Sequence, residues 1–423
     1  MIALNSLLTI YLVFYVTTSL ADMAIDRINA GYVKKSKGRV PEPFKGVIDE
    51  EELSKIHQYT LDKTTFSLIQ AGFLRIVFLF VILSGILPWM TLRLSTFHYI
   101  AAGLLFFAFP GLINAVAGLP FGYYRSFVIE ERYGFNTKTL KVWVSDLVKS
   151  SVIIIVLGGV LLSALFLLVR HAGNLWWLWA FVVFLSFQLL MTVLYPTVIA
   201  PLFNKFTPVE DPELLRRIEG MAQREGLRVK GIYQMDASKR SRHTNAYFSG
   251  LSRAKRIVLF DSLIQSHEVD EIMAVLSHEI GHLKKNHIKK QLVLSSAVSF
   301  VLFYLASRMI SWDVMYEAFG FSAMPAYVGL FLVGILWEPV GFFIRPSGMA
   351  LSRRFEREAD LHSLKIMKDS RPLVRALKKM AKDNLSNLTP HPLYVWLNAS
   401  HPPLLERIRN LEAHGLPDRK ETL

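Results

Sequence analysis

The sequence predicts an α-helical polytopic membrane protein, with seven spanning helices and a polar unit that the last two spans split and that contains a small β element. Three observations carry this. Of 423 residues, 52% are hydrophobic and only 19% charged, a mean hydropathy of +0.33 that a water-soluble chain of this length does not normally reach. The apolar residues gather into blocks of about the 20 residues that a spanning helix needs. Two stretches, about 203–290 and 346–423, are polar instead.

In order, the spans read as Ala3–Ala21, Thr65–Met90, Phe97–Leu119, Val148–Arg170, Leu175–Leu202, Gln291–Ile310 and Ala326–Ile344. No Lys or Arg precedes the first, as a cleaved signal peptide would require, so it reads as a retained span. The chain then divides into spans one to five (1–202), a polar segment (203–290), spans six and seven (291–345) and a polar tail (346–423).

Basic residues alternate between loops. Arg27, Lys34, Lys35, Lys37, Arg39, Lys45, Lys55 and Lys63 lie between spans one and two, and Arg93 alone follows span two. Arg125, Arg132, Lys138 and Lys141 lie between spans three and four, while Arg308 is nearly alone between spans six and seven. The positive-inside rule then puts the amino terminus outside and both polar segments in the cytoplasm. A net charge of +14 has the same origin, so membrane lipids are the expected partner and nucleic acid is not. With no cysteine, disulfides, zinc–thiolate sites, a cysteine nucleophile and prenylation of this chain are all excluded.

Within the polar segments, GIYQMDASK and RIVLFDSLI read as short strands. EIMAVLSHEIGHLKKNH reads as a helix with Ile272, Val275, Leu276 and Ile280 on one side. That helix places His278 and His282 four residues apart on one face, with Glu279 one step round, which is the H-E-x-x-H zinc arrangement. Catalytic zinc usually has three protein ligands and a water. SRRFEREAD, on a second helix after span seven, offers Glu356 and Asp360, again four apart; one would bind metal while the other orients a ligating histidine. A plain charged helix surface would suit Lys284, Lys285 and Lys289, but the histidines flank a glycine on an otherwise apolar helix. His287, five residues past His282, falls off the shared face and reads as an ordinary polar residue.

These two motifs resemble those of the M48 zinc metalloproteases, and the rest of the chain is similar to their integral-membrane branch, the Ste24-type CAAX prenyl proteases. YTLDKTTFSLI (Tyr59–Ile69), PFGYYRSFVIEERYGFNTKT (Pro120–Thr139), IAPLFNKFTP (Ile199–Pro208), SKRSRHTNAYFSG (Ser238–Gly250), RIVLFDSLI (Arg256–Ile264) and SHPPLLERI (Ser400–Ile408) all resemble that family's blocks, in its order. The resemblance implies Zn2+ held by His278, His282 and Glu356, with Glu279 as general base and Asp360 supporting a ligating histidine. It further implies that His401 and Arg407 face the scissile peptide and that Asn245 bonds the substrate backbone. Glu358 falls at a variable position. For Arg407 the plainer reading is a helix-surface salt bridge, and for Asn245 a turn residue.

In fold, the resemblance implies a zincin-like protease domain at the cytoplasmic end of a large chamber enclosed by the spans. Glu338, costly in lipid, would line that chamber beside Pro339. In activity it implies a zinc endopeptidase cutting near the carboxyl end of a peptide or a lipidated, prenylated peptide. Two alternatives remain: a membrane quality-control protease of the HtpX type, and a non-catalytic chamber with a structural zinc. Only about Gln265–Met273 separates the second strand from the zinc helix, where eukaryotic members carry a long acidic insertion, and no lysine-rich retrieval signal ends the chain. Both features point to a bacterial inner membrane, the endoplasmic reticulum being the site for a eukaryotic chain.

Overall fold

A computed structural model describes residues 4–36, 39–249 and 254–415. Ala3 of the first expected span, Lys37 of the first basic loop, Gly250 of the SKRSRHTNAYFSG block and the tail from 416 lie outside the described residues.

Among the described residues, seven helices are long and apolar enough to cross a membrane: Ser6–Lys35, Glu50–Leu83, Tyr99–Glu130, Leu140–His171, Gly173–Phe203, His287–Met309 and Ala326–Met367. Each coincides with one expected span, and several run well past it on the basic side. Their starts are written in the sequence. The Asn5 side chain accepts from the Leu8 N–H at 3.0 Å, Asp49 and Glu52 form a reciprocal capping box, and Thr139 accepts from Val142.

Other element boundaries also differ from expectation. Span two does not reach Met90: Gly85 adopts φ +80, a left-handed conformation that ends the helix, and Ile86–Leu94 forms a separate one. SRRFEREAD does not lie on a second helix, because Ala326–Met367 is one helix of 42 residues that carries span seven straight into the polar unit. Pro339 and Pro346 do not stop it, since beyond them Phe355, Ala359 and Ser363 remain buried and tertiary packing sustains the helix. In each expected strand only the first part is extended. DASK forms a turn, and Asp261 opens a short helix, its Oδ1 accepting from the Ser238 and Ser262 N–H groups at 2.9 and 2.8 Å. Finally, the motif helix is Val269–Lys284, and His287 begins the next helix instead of ending this one.

The polar unit contains one four-stranded sheet: β1 (Phe206–Pro208), β2 (Arg228–Met235), β3 (Ala246–Ser249) and β4 (Ala254–Phe260), in the order β1-β2-β4-β3. β2 and β4 run parallel with Ile232 opposite Ile257; β1 and β3 flank them antiparallel. Ile218, Ile257 and Leu259 from sheet and helix Pro212–Arg224 form one core with Ile272, Leu276 and Ile280 of the motif helix. Ala376, on helix Arg371–Asp383, joins it, so the two polar segments pack as one unit.

The spans pack mainly at their ends. At the poorly basic end, Tyr11, Phe106, Phe166, Tyr316 and Tyr327 belong to one buried hydrophobic cluster. At the other, Tyr59 donates to both oxygens of Glu130 at 3.0 Å, Tyr133 donates to Asp62 at 2.9 Å, and Arg240 grips Asp146 through two 2.9 Å bonds, tying the polar unit to the span loops. A cavity of about 480 Å³ is bordered by Asp22, Arg75, Glu338 and Arg345, with Arg345 donating to Asp22 at 2.8 Å.

Candidate active site

The motif helix crosses the lower half of the long helix through a seam of small residues. Ser277, Ala359 and Ser363 are all buried there, and the two serine hydroxyls hydrogen-bond to each other. Small side chains let the backbones approach, so three side chains from two helices converge. His278 Nε2 lies 3.1 Å from His282 Nε2 and 3.4 Å from Glu356 Oε2, and His282 Nε2 lies 3.3 Å from Glu356 Oε1. These three residues offer ligand atoms close enough to share one cation. Among the described residues, Glu356 Oε2 is buried without a hydrogen-bond partner, which costs free energy unless something else satisfies it.

A buried frame holds the group. His278 Nδ1 lies 2.8 Å from Asp360 Oδ1, and Asp360 in turn receives two bonds from Arg407, at 2.7 and 2.8 Å. Arg407 is only 8% exposed, so it is not the helix-surface salt bridge of the plainer reading. Two of its nitrogens bond Asp360, and Nη1 stands 3.6 Å from Glu356. Burial would discharge this guanidinium, but Asp360 beside it raises its pKa and keeps it cationic.

Charges within the group shape its acidity. Burial alone would lower the pKa of His278, but hydrogen bonds to Asp360 and Glu356 outweigh it and push it up to about 9. Glu279 is half-buried beside the two histidines, outside the three-ligand group, and burial raises its carboxyl above the ordinary range. His401 is on the rim, with its Nε2 3.5 Å from Glu356 Oε1 and its Nδ1 bonded to Ser400 Oγ at 2.9 Å. Asn245 is exposed at the head of the edge strand β3 and accepts from the Ala246 N–H at 2.8 Å. Beside His401 and Arg407 opens a cavity of about 680 Å³, lined also by Tyr59, Lys63 and Tyr394.

Three comparisons with known proteins agree with this geometry. The family description "CAAX prenyl protease N-terminal, five membrane helices" matches residues 29–205, and "Peptidase family M48" matches residues 208–414. The chain belongs to peptidase family M48. Among curated relatives of this M48 metalloprotease is the CAAX prenyl protease 1 homolog of Arabidopsis thaliana, 35% identical over 88% of this chain and 90% of that one. CAAX prenyl protease 1 of Saccharomyces cerevisiae is 34% identical over 90% of each chain, and the Homo sapiens homolog 31% over 90% of each. The crystal structure of S. mikatae Ste24p superposes with a TM-score of 0.91 at 31% identity, covering 97% of this chain and 100% of that one. The M48 protein is therefore a multi-pass membrane metalloprotease, a family that implies a metal, and His278, His282 and Glu356 form a possible site for it. These matches favour that reading over a quality-control protease or a non-catalytic chamber.

Sequence reasoning missed several supporting residues. His287 is buried against His282, and Glu358 bonds His287. Arg353, also buried, donates to the Val395 and Ala399 carbonyls, both at 2.8 Å, just before His401. His243 bonds Asn384 at 2.9 Å and stacks on Phe135, fastening the block that precedes Asn245. Asn286 was the available signal for His287, because asparagine tolerates the left-handed conformation that breaks a helix.

Proposed function

We propose that the metal is zinc and that this protease cleaves peptides near their carboxyl end, prenylated CAAX peptides among them. One observation carries the zinc assignment. Zinc–ligand bonds of about 2.0–2.1 Å at tetrahedral angles separate ligand atoms by about 3.3–3.4 Å. The Nε2 atoms of His278 and His282 are 3.1 Å apart, and each faces one oxygen of the Glu356 carboxylate, Oε2 at 3.4 Å from His278 and Oε1 at 3.3 Å from His282. Two imidazoles and a carboxylate form a donor set typical of catalytic zinc.

When bound, zinc acidifies a water molecule and polarises the scissile carbonyl. Glu279 takes the proton of the attacking water and later delivers it to the leaving amine, a task suited by its raised pKa. His401, exposed at the rim 3.5 Å from Glu356, donates to the developing oxyanion. Asp360 fixes His278, and Arg407 balances the charge of Asp360 and Glu356. An extended peptide adds to the open edge of β3, where Asn245 contacts its backbone.

The prenyl substrate class comes from the names of the relatives in yeast, Arabidopsis and human, together with a cavity beside His401 large enough for several residues. The alternating basic loops support an amino terminus outside and the catalytic unit in the cytoplasm. The short link from Gln265 to Met273 supports a bacterial inner membrane.

The test is cleavage of a farnesylated C-terminal CAAX peptide by the purified protein. Release of the terminal tripeptide should require zinc and vanish on chelation. Glu279→Ala should lose cleavage by about 10²–10⁴-fold while retaining zinc. If the zinc-loaded protein cuts unmodified peptides but never the farnesylated one, the prenyl-substrate assignment falls.

A further inference from the structure

His287 was expected to point away from the metal group, because in a continuous helix a residue five positions on is rotated by about 140°. The helix is not continuous. Asn286 takes φ +53 and ψ +36, a left-handed residue that ends one helix and lets His287 open the next. This break turns His287 back onto His282. Its Nδ1 lies 3.0 Å from His282 Nδ1, and its Nε2 lies 3.1 Å from Glu358 Oε2. The ring is 2% exposed and stacks on Phe355, with centroids 4.1 Å apart and planes 11° apart.

This contact fixes the protons along the chain. His282 presents Nε2 to the ligand triangle, so as a neutral ligand it carries its proton on Nδ1. The acceptor of that N–H is then the lone pair on His287 Nδ1, which leaves the His287 proton on Nε2, facing a carboxylate. Glu358 is steered in turn by Arg354 at 3.0 Å and Lys290 at 3.9 Å. We infer that His287 is a positioning residue for the metal site: it relays Glu358 to His282, setting the tautomer and ring orientation of one metal ligand. The two ligating histidines are thus held differently. His278 meets a carboxylate directly, whereas His282 meets one through a second imidazole, and that imidazole is the first residue of the sixth span.

This inference rests on the reading of His278, His282 and Glu356 as a zinc site, and the experiment separates the two. Zinc affinity is measured on the full-length protein in detergent by competition with a chromophoric chelator, alongside the melting temperature of the metal-free form. Variants are His287→Ala, His287→Asn and His287→Gln, with His282→Ala as control. An asparagine amide places its oxygen near the former Nδ1 and can still accept from His282; a glutamine amide reaches the former Nε2 position and cannot. His287→Ala and His287→Gln should bind zinc about 10–100-fold more weakly, the usual cost of losing such a partner, while His287→Asn recovers most of the affinity. Melting temperatures of the metal-free variants report lost packing separately. Equal affinities for wild type, Ala, Asn and Gln overturn the relay while leaving the zinc site standing, as does an Asn variant no better than Gln. A wild-type protein that takes up no zinc overturns the site reading itself. If His287→Ala does not fold, the Asn–Gln comparison decides.

Discussion

Gly281 and Ala359 meet where the motif helix crosses the long helix. A Cβ on Gly281 would stand 2.9 Å from the Ala359 Cα, 3.0 Å from its carbonyl oxygen and 3.1 Å from the His362 Cβ. Two of these atoms belong to a helix backbone and cannot turn aside. The glycine between the two histidines therefore sets the distance at which His278 and His282 face Glu356.

Gly281→Ala should push the helices apart. Overpacking of this kind costs about 1–3 kcal/mol. Activity should fall further than stability alone explains, because a misplacement of about 1 Å costs around 10²-fold in rate. Thermal melting and steady-state peptide cleavage on the same preparation check this; an active variant with native melting would count against the close crossing.

Asp360→Asn should damage metal binding and folding together. It weakens the partner of His278, for which about 10–100-fold in metal affinity is expected. It also leaves the buried Arg407 charge without its carboxylate, and breaking a buried pair costs about 3–5 kcal/mol. Chelator competition and chemical denaturation measure the two losses separately.

Metal binding should release protons. Without metal, burial lowers the pKa of His278, but Asp360 and Glu356 outweigh it and push it from 6.5 up to about 9. This raised pKa stabilises the metal-free protein fully below pH about 6.5, and that stability is lost as pH rises through about 9. A metal must displace the same proton, so apparent affinity should climb with pH towards about 9. Calorimetric titrations in two buffers of different ionisation enthalpy count the protons released.

Arg353→Ala should separate catalysis from metal binding. Its guanidinium holds the Val395 and Ala399 carbonyls, and His401 lies two residues further on. Without it the loop loosens, and kcat should fall about 10-fold or more with zinc affinity unchanged. Arg353→Lys, with a point charge in place of a planar fork, should recover part of the rate. Equal losses in kcat and zinc content would place Arg353 in the metal frame instead.

Much of this protein was legible in one dimension. Seven spans, their basic loops and the His278–His282 pair depend on local runs and on helical spacing, which short windows of sequence display. Glu356 and Asp360 were both visible as candidates, because four-residue spacing is itself local. The resemblance to M48 blocks then separated their roles.

What remained hidden depended on where helices stop. Nothing near Ile344 announces that span seven continues to Met367; packing of Ala359 and Ser363 against a helix some 80 positions earlier in the chain keeps it going. One left-handed residue, Asn286, turns His287 from an off-face polar side chain into the partner of His282. Arg407 became the buried mate of Asp360 through contact between residues 47 positions apart. Sequence by itself determined the membrane architecture and the ligand types, because hydropathy and helical period are properties of neighbouring residues. Tertiary structure alone decided which side chains share a site, because that follows from distances across the fold.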